Sequence, residues 1–143
     1  MRAAVLLLAF CLAPACRADL AAAKAEPNLE KRSEKALENA SLQIDAARKA
    51  WQAADAKAFQ AAVAEVQESA ELSYDSLRAT GKNPSKRPKY FKRAELKMRE
   101  LIRRLDGLKQ EVDYDSRDPV EQVKVRIQEL HEELLLDIMG RKR

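Results

Sequence analysis

From Leu37 to Ile138 the apolar residues recur at alternating spacings of three and four, in four separate runs. The first is Leu37, Ala40, Ile44, Ala47, Trp51 and Ala54, and the second is Phe59, Val63, Val66, Ala70, Ser73 and Leu77. The third, the most regular, is Phe91, Ala94, Met98, Leu101, Leu105, Leu108 and Val112; the fourth is Val120, Val123, Ile127, Leu130, Leu134 and Ile138. Spacings of three and four keep side chains on one face of a 3.6-residue helix, whereas a strand needs alternation by two. Four amphipathic helices are therefore expected.

The punctuation points the same way. The chain has 3 Gly and 5 Pro in 143 residues, too few to supply the turns of a sandwich or barrel. Its apolar content includes 25 Ala against 7 aromatic residues, which suits helices better than pleated strands. Gly81, Pro84 and Pro88 stop the second helix and delay the third. Asp118-Pro119-Val120-Glu121 has the form of a capping box with proline at the first helical position, so the fourth helix is expected to start there. The break near Ala54-Asp55 is read as a hairpin turn capped by Asp55, with a stutter in one long helix as the alternative. The expected fold is all-α: an antiparallel up-down-up-down four-helix bundle with helices over about 28–54, 56–80, 89–113 and 119–139. Residues 28–140 form its single domain, preceded by a flexible lead-in at 19–27 and followed by a basic tail at 141–143.

The N-terminus has a different character. Met1-Arg2 precedes an uncharged apolar run of 11 residues, Ala3 to Ala13, which Pro14 ends. A helix needs about 20 residues to span a bilayer, so this run reads as the core of a secretory signal peptide over 1–18. Cleavage after Ala18 removes Cys11 and Cys16, both cysteines of the chain, and with them any disulfide or thiol chemistry. Cleavage after Ala15 is the alternative. It leaves Cys16 for a lipid anchor, although Ala13 and Pro14 depart from a lipobox. The expected location is the periplasm or the extracellular space, with no transmembrane helix in the mature chain.

Little in the sequence can do catalysis. His131 is the only histidine, and residue 128 is Gln, so the Glu-x-x-His pattern of di-iron bundles is absent. It is expected to pack as a boundary residue. There is no Gly-x-Ser-x-Gly elbow or Gly-rich phosphate loop. Asp113, Asp115, Asp118 and Glu121 lack the glycine and the distal glutamate of a calcium loop and read as a solvated turn. Asn39-Ala-Ser41 is a glycosylation sequon placed mid-helix. No catalytic residue, metal site or cofactor is expected, and the chain is not read as an enzyme.

Charge is the informative feature. Between Arg78 and Arg104 lie 11 basic residues against Glu95 and Glu100, whereas residues 55–77 carry 1 basic and 5 acidic residues, and residues 105–140 carry 4 and 10. The overall +4 thus conceals a dipolar molecule. One reading pairs these cations with the acidic second and fourth helices of the bundle. The other makes Lys82, Lys86, Arg87, Lys89, Lys92, Arg93 and Arg103 a docking surface for an anionic envelope component or protein. Nucleic acid fits poorly, because export removes the chain from it and no array of stacking aromatics accompanies the charges. On the last helix, Val125, Leu136 and Met139 project away from the core stripe and suggest self-association into a homo-oligomer. The functional expectation is a secreted or periplasmic non-catalytic binding module. An oligomeric adaptor or chaperone-like holdase of the cell envelope is the alternative.

Overall fold

The computed structural model describes residues 18–140. Over these residues the chain is all-α, with five helices: α1 (Ala18–Ala25), α2 (Leu29–Gln52), α3 (Ala56–Ala79), α4 (Lys89–Glu111) and α5 (Tyr114–Ile138). The expected signal segment up to residue 17 and the tail at 141–143 lie outside the described residues. No helix among the described residues is long and apolar enough to cross a membrane.

Every member of the second and third apolar stripes is buried, and so is the fourth stripe except the half-buried Ile138. Met98, Leu101, Leu105 and Leu108 of α4 and Ile127, Leu130 and Leu134 of α5 are among the most enclosed side chains. Each is worth roughly 1.5–3 kcal/mol of apolar burial. The α2 stripe supplies Leu37, Ala40, Ile44 and Ala47, while Trp51 is half-buried and packs its ring against Phe59 across the turn, with centroids 5.7 Å apart and the planes tilted by 59°. Between α2 and α3 the interface is more polar than its alanines suggest. Ser33 and Ser73 share a hydrogen bond of 2.7 Å, and the Asn39 amide donates to Ser69 and to Glu65, each at 2.9 Å. Asn39 is thereby enclosed, so its sequon sits where no glycan fits.

Three boundaries differ from expectation, each for a local reason. The lead-in at 19–27 is a helix, α1, because Leu20 and Ala23 find an apolar groove beside α2 and α3 and are buried there. Ala54 leaves its stripe altogether. It is exposed with φ +55°, and the amides of Ala54 and Asp55 donate to the carbonyls of Trp51 and Ala50 at 3.0 and 2.9 Å. That is a Schellman motif, so the break is a turn and not a stutter, with alanine where glycine is usual. The Asp55 side chain then caps α3 through the Ala58 amide at 3.0 Å.

The third correction concerns α5, which begins at Tyr114 and not at Pro119. Asp113 accepts the Ser116 amide at 2.9 Å and captures the helix start before Asp118 can. Pro119 then lies inside the helix, costing the hydrogen bond to the carbonyl four residues back. Asp115, which owns that carbonyl, is exposed, so water can satisfy it.

Successive helices alternate in direction, but their spatial order is not the expected one. α2 pairs antiparallel with α3, as the Ser33–Ser73 and Asn39–Ser69 contacts require. α4 pairs antiparallel with α5 through Lys109–Glu121 at 2.7 Å and Lys124–Asp106 at 2.9 Å. The two hairpins then meet along parallel edges. α4 lies beside α2, with Arg93–Glu34 at 2.8 Å, Arg104–Asp45 at 2.6 Å and Arg48–Glu111 at 2.8 Å. α5 lies beside α3 through Arg126–Glu71 and Tyr74–Glu133. Consecutive α3 and α4 touch only sparsely, across the diagonal of the core. Residues 80–88 permit this, because a nine-residue connection reaches up to ~30 Å whereas packed helix axes are only about 8–10 Å apart. The other two turns, at 53–55 and 112–113, are too short for anything but adjacent helices.

Candidate functional site

The basic segment spans the end of α3, the 80–88 loop and most of α4. Gly81, at φ +66°, takes the chain out of α3. In the loop the Asn83 carboxamide oxygen accepts from the Ser85 amide at 3.0 Å, the Ser85 hydroxyl at 2.7 Å and the Lys86 amide at 3.2 Å. The loop is therefore folded on a side-chain hub, with Lys86 and Arg87 exposed beyond it. α4 then opens on Pro88, with no side-chain cap and no acidic residue in its first turn.

The 11 cations divide into two groups. Six have partners: Arg78 donates to the Tyr74 hydroxyl, Lys82 pairs with Glu30, Arg93 with Glu34, Lys97 with Glu100, Arg99 with Glu95, and Arg104 with Asp45. The interhelical carboxylates come from α2, through Glu30, Glu34 and Asp45. The reading that the acidic α3 and α5 would neutralise this segment is corrected for residues 78–104: α4 also runs alongside α2, and it is α2 that supplies their interhelical carboxylates. Tyr90 adds to this edge, its half-buried ring flanked by Lys89 at 5.3 Å and Arg93 at 5.6 Å.

The other five cations, Lys86, Arg87, Lys89, Lys92 and Arg103, are exposed and have no carboxylate partner among the described residues. Of the seven expected docking residues, Lys82 and Arg93 are thus engaged internally. Lys86, Arg87, Lys89 and Lys92 gather within the loop and the first turn of α4. Arg103 stands apart, three turns or about 16 Å further along the helix. Leu96, 57% exposed, lies on the same face between Lys92 and Arg103.

The residues expected to mediate self-association do not form one patch. Val125, Leu136 and Met139 share a face of α5, but exposed Glu129 and Glu132 lie between Val125 and Leu136. Leu136 and Met139 alone are adjacent, at the C-terminal end of α5. There Gly140 approaches the Ser85 side chain: a Cβ on it would lie 3.7 Å from Ser85 Cβ. The apolar tip of α5 and the cationic 80–88 loop therefore occupy the same end of the molecule.

His131 has a partner that its own helix could not supply. Its Nε2 is 2.7 Å from Glu95 Oε1 on α4, and Arg99 reaches the same carboxylate. Glu95 is 5% exposed, a buried carboxylate that the sequence marks only by its place between Ala94 and Met98 on the core side of α4. Among the described residues no group of three His, Cys, Asp or Glu is placed to hold a metal ion. On the opposite pair of helices, Tyr74 lines a polar groove with Glu71, Arg78, Arg126 and Glu133. Burial, reinforced by the hydrogen bond to Glu133, raises its phenol above the usual range. A second cleft of about 350 Å³, between α2 and α4, is lined by Glu34, Glu38, Tyr90, Arg93 and Lys97 around Leu37 and Ala94. Its two cations are balanced by Glu34 and Glu38, which leaves no net charge to select a ligand.

No protein-family model, curated protein or solved structure matches the chain.

Proposed function

We propose that the protein is an exported, non-catalytic helical module, a four-helix bundle with α1 laid against it, that binds an anionic partner. The basic end carrying Lys86, Arg87, Lys89 and Lys92 is the surface that does so. The observation that carries this reading is the division of the cations. Six of the eleven between Arg78 and Arg104 are engaged within the fold, and four of the remaining five are concentrated in one loop and one helical turn. Their position is unfavourable for the fold itself. Lys89 and Lys92 put positive charge on the positive end of the α4 dipole, a penalty of about 0.3–1 kcal/mol each. A partner bearing negative charge offsets that penalty.

The export part of the reading rests on residues 1–18. Cleavage after Ala18 leaves Leu20 and Ala23 to keep α1 docked, so the processed chain retains its packed N-terminal helix. The destination is the periplasm or the extracellular space.

The test is chromatography on a sulfated polysaccharide with a salt gradient. Wild type is expected to elute at higher salt than a variant with Lys86, Arg87, Lys89 and Lys92 changed to Glu, because exposed charges are screened beyond about 10 Å at moderate ionic strength. Equal elution of the two proteins would sink the reading. The alternative, an oligomeric adaptor or holdase, draws on the exposure of Met139 at 78%. Light scattering on the eluting protein decides it, since a monomer removes its support.

A further inference from the structure

The apolar tip of α5 and the cationic 80–88 loop meet at one end of the molecule, and neither is explained by the packing. Met139 is 78% exposed and Leu136 39%, next to Gly140, which itself lies against Ser85. Lys86, Arg87, Lys89 and Lys92 stand around Ser85 in sequence, exposed and without carboxylate partners among the described residues. Resting on the anionic-partner reading above, we infer that this end of the molecule docks on the surface of an anionic lipid bilayer. In that pose the four cations meet headgroup phosphates, and Met139 and Leu136 enter the acyl boundary.

The pairing of these two chemistries argues for a bilayer over a soluble polyanion. A sulfated chain attracts cations but offers no apolar surface to an exposed thioether beside them. A bilayer interface takes both, since it presents negative charge outside and hydrocarbon a few ångströms deeper. Neither of the clefts at the α2–α4 and α3–α5 edges is lined by these residues, so the end offers a surface and not a pocket. Of the acidic residues nearby, Glu30 is paired with Lys82 and Glu133 accepts the Tyr74 hydroxyl, while half-buried Asp137 and exposed Asp75 and Glu132 pair with none of the four cations. The cations are therefore left to the partner.

Co-sedimentation of the full chain with phosphatidylglycerol–phosphatidylcholine vesicles, against phosphatidylcholine alone, tests this. The apolar run at residues 3–13 contributes alike to every variant, so the comparison isolates the bundle end. A cation near an anionic membrane is worth about fivefold in partitioning. Changing Lys86, Arg87, Lys89 and Lys92 to Gln is thus expected to cut binding to anionic vesicles by nearly three orders of magnitude. The same change at Lys49 and Lys57, exposed cations far from this end, should leave it within about twofold of wild type. Met139→Gln, which removes apolar surface without adding charge, is expected to weaken vesicle binding several-fold while leaving elution from the sulfated polysaccharide unchanged. Wild-type vesicle binding by Met139→Gln, or equal binding to both vesicle types by wild type and the fourfold Gln variant, overturns the inference. Retention on the polysaccharide with no vesicle binding also overturns it but leaves the proposed function standing. Loss of both behaviours in wild type removes the two together.

Discussion

His131 of α5 and Glu95 of α4 are joined by a contact of 2.7 Å between Nε2 and Oε1, with Arg99 on the same carboxylate from the solvent side. A proton on Nε2 donates to Glu95 in either charge state of the ring. The pair ties the second turn of α4 to α5, where both side chains are largely withdrawn from water. Removing the acceptor strands the imidazole, whereas removing the imidazole leaves Glu95 with Arg99. Glu95→Ala is therefore expected to destabilise the fold by about 1–3 kcal/mol and His131→Gln by about 1 kcal/mol or less. Urea unfolding measures both, and a loss below about 0.5 kcal/mol for Glu95→Ala would show that the pair contributes nothing to stability.

Gly107 sits inside α4 with nothing within 4 Å of the position a Cβ would occupy. Glycine in a helix interior costs about 1 kcal/mol relative to alanine. Gly107→Ala should raise stability by about 0.5–1 kcal/mol, read as an increase in the urea midpoint without a change in slope. A decrease would mean that the helix needs the glycine for something other than space.

The two left-handed turn positions carry opposite residues. Ala54 holds φ +55° at the end of α2, and Gly81 holds φ +66° after α3. An L-residue pays roughly 1–2 kcal/mol to adopt that conformation. The greater freedom of glycine in the unfolded chain offsets part of this. Ala54→Gly is expected to stabilise by about 0.5 kcal/mol and Gly81→Ala to destabilise by about 1 kcal/mol. Thermal unfolding of the two variants should shift in opposite directions; shifts of the same sign would contradict the assigned turn geometry.

Glu121 bridges Lys109 at 2.7 Å and Lys124 at 3.0 Å. First Lys109 and then Lys124 hold its carboxyl below the usual glutamate value of 4.5. A group that binds its proton less readily when folded than when unfolded adds stability above the unfolded value. That contribution disappears as the pH falls through the folded one. Because the side chain is partly exposed, the contribution stays within about 1 kcal/mol. Glu121→Gln should therefore be less stable than wild type at neutral pH, and the gap should close as the pH falls well below 4.5. A gap that persists at acid pH would assign the effect to lost packing and not to charge.

Four of the five helices, their faces and most of the core residues could be read directly from the chain, while α1 could not. The 3.6-residue period is local, and burying the apolar stripe of each helix is the same requirement whatever it packs against. That is why Phe59 through Leu77, Phe91 through Val112 and Val120 through Leu134 behave as their spacing demands. The misjudged ends were also local contests, in which Asp113 captured a helix start ahead of Asp118 and Ala54 took a glycine's place.

The order in which the two hairpins meet could not be read. An apolar stripe says which face turns inward but carries no label for the face it meets, and the 80–88 loop is long enough to reach either an adjacent or a diagonal position. Packing in three dimensions placed α4 beside α2 and so brought Glu34 and Asp45 to Arg93 and Arg104. The α4–α5 hairpin gave His131 its carboxylate, and the folded ends of α4 and α5 left Lys86, Arg87, Lys89 and Lys92 without carboxylate partners near Met139. Charge counts along the chain add up whatever the fold, but which charges are neutralised depends on distances of a few ångströms between segments remote in sequence, and only the packed chain sets those distances.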